Sequence, residues 1–171
     1  MKNNNSVLDN IYTRRSIRQF TDRPVPDDML VEILRAGSWA PSGLNNQPWR
    51  FAIITDLKIK KKFEAFTKYN KVIASAMALL PVFIDKDAMY NEVKDHQSIG
   101  ACLQNMLLAA HSMGLGAVWL GEIIKSSKET IKLLELPDRL ELMAVVAVGY
   151  PADSGRTPVR KPLDELIVYK R

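Results

Sequence analysis

The heptad RRSIRQF, residues 14–20, places three arginines and a serine within five positions. A guanidinium is a planar fork of donors matched to phosphate oxygens, and a serine hydroxyl adds a small donor at close range. Arg14, Arg15 and Ser16 therefore have the donors to grip one phosphate. The heptad also reads as a solvated basic patch, or as positive charge favoured near the C-terminal end of a short preceding helix. A second stretch, WAPSGLNNQPWRF (39–51), combines turn formers, carboxamides and two tryptophans. That mixture suits a pocket lined by backbone donors, amide edges and flat apolar walls. Gln47 and Trp49 serve equally as structural residues, Trp49 as core.

Other chemistry is missing. Gly114 and Gly116 have the first spacing of a dinucleotide fingerprint, but position 119 is Trp and the segment runs from helix to strand. No Walker lysine motif, nucleophile elbow or zincin helix occurs. His111 sits on a predicted helix as a structural histidine, and His96 reads as a helix-start or surface residue. Cys102 is the only cysteine, so an intramolecular disulfide and a cysteine-based metal site are both excluded. A reducing cytoplasm is the expected setting. An enzyme built this way needs a bound cofactor to carry the reaction.

These residues must be positioned by a folded chain. With 47% hydrophobic and 25% charged residues in 171, the composition is that of one globular domain, 1–171. The net charge of +5 allows nucleic acid, a membrane surface or a phosphorylated small molecule as partner. Scattered lysines and aromatics confined to apolar runs argue against nucleic acid. The Asn-rich start, about 1–6, reads as a frayed tail without a signal sequence. The apolar stretch 99–120 is interrupted by Gln104, Asn105, His111 and glycines, which argues against a membrane span.

Periodicity predicts an amphipathic helix from Asp27, with Met29, Leu30, Ile33 and Leu34 on one stripe, ending in the turn-rich stretch near Pro41. Residues 50–55 predict a strand, 57–77 one or two helices, and 79–85 a strand whose Pro81 points to an edge or a strand start. From Ile99 to Met113 the apolar stripe is wider than one face, as in a helix buried nearly all round. GAVWLG predicts a strand, and a helix follows through Leu134. The unbroken apolar run 140–150 predicts a central strand buried on both faces. The tail, about 151–171, holds three of nine prolines and reads as an extended arm ending in a small strand, LIVY.

In chain order, RRSIRQF, PSGLNNQPW (41–49), GLGAVWLGE (114–122) and VRKPLDE (159–165) resemble the nitroreductase family of FMN-dependent oxidoreductases. The resemblance covers nearly the whole chain. It implies an α+β fold with a mostly antiparallel sheet flanked by helices, and a homodimer formed through the long central helix with exchanged C-terminal arms. It implies that Arg14 and Ser16 hold the FMN phosphate or ribityl chain, with Arg15 assisting or facing solvent. Arg160 and Lys161 complete that clamp. Arg18 reaches the N1 and C2 carbonyl edge, where a cation offsets the charge left by reduction. Pro41, Ser42, Gly43 and Asn45, with Gln47 beside them, come from the other subunit, Asn45 using its amide on the pyrimidine edge. Leu120 and Gly121 bring backbone to flavin N5, in a register that Glu122 leaves open by one. The short segment DKDAMYNEVKD (85–95) implies a small lid.

The implied activity is reduction of nitro compounds, quinones or similar acceptors, with NAD(P)H as transient donor and FMN doing the chemistry in ping-pong order. Two alternatives stand beside it. One is specialised flavin chemistry, flavin fragmentation or reductive dehalogenation. The other is a non-catalytic FMN-binding protein.

Overall fold

A computed structural model describes residues 6–153, 155 and 157–171. Among these residues the α-helices and strands follow in order: α1 (Ser6–Thr13), α2 (Asp27–Ser38), β1 (Trp49–Phe51), α3 (Leu57–Glu64), α4 (Asn70–Ser75), β2 (Ala78–Asp85), α5 (Glu92–Ser112), β3 (Gly116–Leu120), α6 (Ser127–Leu133) and β4 (Leu140–Gly149). The strands form one antiparallel sheet in the order β1-β2-β4-β3. The fold is α+β, as expected.

Both faces of the sheet are covered, which explains the unbroken apolar strands. Leu80, Val82, Ile84, Ala144, Val146 and Val148 pack against Leu30 and Ile33 of α2 and Ile99, Leu103 and Met106 of α5. Residues of opposite parity, among them Leu79, Phe83, Val145 and Ala147, meet Phe63 of α3, Ile73 of α4 and Ile131 of α6. Period-two alternation thus feeds two cores instead of one core and solvent. Helices α2 and α5 come close because Gly37 lacks a Cβ, which would lie 2.7 Å from Met106 Cγ.

β2 is an interior strand, contrary to the placement that Pro81 suggested. Its carbonyl accepts from Ala52 N (3.1 Å), so its nitrogen faces the β1 side and the ladder to β4 loses nothing. The missing donor falls where β1 stops. The predicted strand 50–55 accordingly shrinks to Trp49–Phe51 plus an isolated bridge between Ile54 and Leu79.

The helical stretch 57–77 breaks into α3 and α4 at Thr67, whose hydroxyl takes Tyr69 N (3.1 Å). α5 begins seven residues before the predicted start, capped by Asn91. It buries Ile99, Cys102, Leu103, Met106, Leu107 and Ala110, and Asn10 of α1 reaches Leu108 O (3.1 Å) on another side. The arm also carries exposed apolar side chains. Residues 157–171 are exposed, with Val159 at 86% and Val168 at 98% of full exposure. LIVY forms no strand here; among the described residues of the arm the one regular element is a single 3-10 turn at Leu163–Glu165. Ser6 of the predicted frayed tail starts α1, and the rest of that tail lies outside the described residues. Among the described residues no helix is long and apolar enough to cross a membrane.

Candidate functional site

The heptad leaves α1 and lies along the edge of β3. Ile17 N donates to Ala117 O (3.1 Å), Ser16 bridges Ala117, and Thr21 N donates to Tyr150 O (2.9 Å). Two glycines make this possible. A Cβ on Gly116 would stand 2.8 Å from Ile17 Cβ, and one on Gly149 would stand 2.9 Å from Phe20 Cβ. Bare backbone at both positions lets the segment settle on the sheet.

Arg15 and Ile17 both lie against Gly155, and Arg15 spends its guanidinium on the carbonyls of Tyr12 and Arg14 (2.8 Å each). Arg14 differs. It is half-buried, and its Nε has no hydrogen-bond partner among the described residues. Burial first, then the charges of Arg160 and Arg15, hold its guanidinium below the usual value. Arg160, 146 positions away, thus comes within electrostatic reach of Arg14. None of Arg14, Arg15, Arg18 and Arg160 lies within ion-pair distance of a carboxylate among the described residues. A partly desolvated cationic cluster of this kind is stabilised by an anion. Arg18 is exposed, its Nη1 donating to Ser16 O (3.2 Å), and Lys161 is exposed on the arm.

The Pro41–Gln47 turn is strained. Leu44, Asn45 and Gln47 have φ of 54°, 55° and 46°, a region that asparagine tolerates and leucine rarely occupies. Such positions cost on the order of 1–3 kcal/mol each and cluster at ligand sites. Side chains hold the turn: Ser42 Oγ accepts from Gln47 N (3.1 Å), and Gln47 Nε2 donates to Asn45 O (3.2 Å). Asn46 Nδ2 donates to Ala88 O (2.9 Å) and to Asp95 Oδ1 (2.7 Å). Asp95, fully buried, also accepts from Tyr90 N (2.9 Å) and Asn91 N (2.8 Å). Burial alone would raise its pKa. The bonds from Asn91, Asn46 and Tyr90, with a smaller contribution from His96, outweigh burial and leave it lowered. Trp49 is core, 5% exposed.

Leu120 is buried at the end of β3, and Gly121 caps the 3-10 turn that follows. Glu122 ties this corner to the α3–α4 link, accepting from Thr67 Oγ1 (2.7 Å), Lys68 N (3.3 Å) and Lys125 Nζ. The bond from Lys125, followed by that from Thr67, pulls its carboxyl down to about 2.

The structure therefore gathers Arg14, Ser16 and Arg160 near the β3 edge, with Leu120 and Gly121 at the end of that strand. Pro41, Ser42, Gly43, Asn45 and Gln47 stand elsewhere, on the turn leading into β1 at the opposite edge. Three strand spacings, about 14 Å, separate the two edges. Two neighbours of these segments gave no sequence signal that links them to the site. His111, read as structural, is half-buried beside the arginines and shares a 2.9 Å hydrogen bond with Thr13 Oγ1; burial, then Arg14 and Arg15, lower its pKa. Asp95 gave only the signal of a helix-start acid, and nothing linked it to Asn46.

A model of the nitroreductase family matches residues 11–82 and 65–150 of the chain. A protein of Archaeoglobus fulgidus, provisionally named NADH dehydrogenase/NAD(P)H nitroreductase, is 40% identical over 150 residues, which cover 84% of each chain. Iodotyrosine deiodinase of Thermotoga neapolitana is 31% identical over 180 residues, covering 91% of this chain and 92% of its own. A crystal structure from Desulfovibrio desulfuricans, of a protein provisionally named a nitroreductase and in complex with FMN, superposes with a TM-score of 0.93. It is 50% identical and the match covers 98% of both chains.

Proposed function

The chain belongs to the nitroreductase family, and from that premise we propose that it is an FMN-dependent oxidoreductase. Its donor is NAD(P)H and its acceptors are nitro compounds, quinones or similar small molecules. The observation that carries this is Arg14: a partly buried guanidinium with an unpartnered Nε, beside two further arginines and no paired carboxylate, fits a phosphate. FMN bound there supplies two-electron chemistry, accepting hydride from the nicotinamide and passing electrons to the acceptor.

The chain's own residues do the rest. Arg14, Ser16 and Arg160, assisted by Arg15 and Lys161, hold the phosphate end, and Arg18 keeps a positive charge near the ring edge that becomes anionic. Backbone at Leu120 and Gly121 borders the reactive face. Pro41, Ser42, Gly43 and Asn45, with Gln47 bracing Asn45, border the ring from the partner subunit, because one chain holds its two half-sites at opposite sheet edges.

The partner is a second copy. The arm carries Val159, Leu163, Leu166, Val168 and Tyr169 exposed, and α1 adds Ile11 and Tyr12. Surface of that kind marks an interface. The β3 edge is already covered by residues 16–17, so the outer edge of β1 is the place where LIVY of a partner can add as a strand. A cytoplasmic setting accords with a reduced nicotinamide donor and a buried single thiol.

The test is the protein as purified. One FMN per chain, bleaching on anaerobic NAD(P)H addition, and parallel double-reciprocal plots at several acceptor concentrations are the expected results. A flavin that stays oxidised leaves only a binding protein. Reductive dehalogenation, favoured by the likeness to the deiodinase, is distinguished by halide release from a halogenated phenol without nitro or quinone turnover.

A further inference from the structure

Beside the Pro41–Gly43 turn lies a cavity of about 310 Å³. Its far wall is one stripe of α5, Lys94, Gln97, Ser98 and Ala101, spaced i, i+3, i+4, i+7. Tyr90 closes the third side. Its hydroxyl oxygen rests 1.9 Å from where a Cβ on Gly43 would stand, so only glycine at 43 lets the ring lie against the turn. The walls are fastened to each other: the Asp95 carboxylate holds Asn46 of the turn through Oδ1 and the backbone of Tyr90 through Oδ2.

Lys94 is the one charged side chain among the described residues lining this cavity. No carboxylate among them lies within ion-pair distance of it, and its Nζ stands 5.5 Å from the centre of the Tyr90 ring. Asp95, next in sequence, is turned inward and fully occupied. Ser98 Oγ donates to Lys94 O (3.0 Å), so its one proton is not available to an anion.

We propose that Tyr90 and Lys94 form an acceptor-reading subsite that favours planar acceptors bearing an anionic substituent, a carboxylate or sulfonate. This rests on the reading that the Pro41–Asn45 turn borders the flavin. The tyrosine ring supplies a flat wall for a planar ring, and the ammonium supplies a charge at its far end. Neutral acceptors use the wall alone. The pyrophosphate of the nicotinamide donor is the other anion that could reach Lys94, and the test separates the two.

Chemically reduced enzyme is mixed in a stopped-flow instrument with 4-nitrobenzoate or 4-nitrobenzamide, which match in shape and differ in charge. Each nitro group takes two electrons from the reduced flavin, and two protons, to give a nitroso group and water. The ratio of the two second-order constants, acid over amide, cancels any change in flavin reactivity. Lys94→Gln is expected to lower that ratio about tenfold and Lys94→Glu further, while Lys94→Arg retains most of it. Raising the salt concentration lowers the ratio more steeply in the unaltered protein than in Lys94→Gln, where only the attraction of the remaining net positive charge is screened. FMN content and melting temperature are measured beside each variant. An unchanged ratio in a Lys94→Gln protein that keeps its FMN overturns the proposal. So does a loss confined to reduction by NAD(P)H, which assigns the lysine to the donor. A chain that takes up no flavin overturns the reductase reading itself, and this subsite with it.

Discussion

Replacing Arg14 by Met separates a ligand-binding arginine from a structural one, because the two predict opposite signs for the protein without flavin. In that form Arg14 is desolvated, lacks a partner for Nε and feels the like charges of Arg160 and Arg15. A methionine keeps most of the apolar stem and removes those costs. The flavin-free variant should therefore melt at the same temperature as the parent or up to about 4 °C higher, since about 1 kcal/mol corresponds to roughly 2–4 °C at this chain length. Flavin binding should move the other way. One charge-assisted contact to phosphate contributes about 1.5–3 kcal/mol, so the Kd for FMN should rise roughly ten- to a hundredfold. Arg160→Ala should raise it too, and the double variant should fall short of the sum because both residues address one anion. Titration of flavin-free protein by fluorescence quenching gives Kd, and differential scanning fluorimetry gives the melting temperature. A variant that melts several degrees lower yet binds FMN as before would show that Arg14 holds the fold, and the phosphate assignment would fall.

Three further outcomes follow from other contacts. Gly116→Ala drives a methyl into Ile17, so it should cost about 1–3 kcal/mol by chemical denaturation and weaken FMN binding, although residue 116 carries no polar side chain. Asp95→Asn sets an amide NH2 against a donor whichever way it turns, the N–H groups of Tyr90 and Asn91 on one side or Asn46 Nδ2 on the other, and should cost about 2–3 kcal/mol near neutral pH. Because the folded pKa of Asp95 lies below 3.8, its contribution is complete above that value and is lost as pH falls through the folded pKa; the difference in melting temperature between parent and variant should narrow in that acid range. Cys102 is fully buried and its thiol is pushed up to about 12 by desolvation, so 5,5′-dithiobis(2-nitrobenzoate) should label it only at the rate of unfolding; prompt labelling of native protein would contradict that burial.

The strands and the long helices were legible because burial imposes a period: Leu30 and Ile33 on α2, or the run 140–149, show their neighbours through spacing alone. Pro81 misled because its effect depends on which side its nitrogen faces, and that is set by pairing with Ala52, 29 positions away. LIVY has the residues of a strand and no strand of its own chain to join. The arginine cluster was legible as a motif, whereas the partial burial of Arg14 was not, nor was the charge of Arg160 acting on it from 146 positions away. Asn46 and Asp95 lie 49 positions apart, and each alone looks like an ordinary turn or helix-start residue. Their bond exists only in three dimensions.

The placement of the cationic cluster and the Pro41–Gln47 turn at opposite edges of the sheet has a genetic consequence. If each flavin is held by one subunit's cluster and the other's turn, a defect in either half disables a different protomer's contribution. A subunit carrying Arg14→Ala still lends a sound turn, and one carrying Asn45→Ala still lends a sound cluster. Mixed dimers of the two would contain one wholly impaired site and one intact site. Two such variants, unfolded and refolded together and assayed at an FMN concentration that fills parental sites but not the weakened ones, would then recover about a quarter of the parental sites by random pairing. Either variant refolded alone would show only weakened sites, and a site contained within one chain could never be rescued in this way.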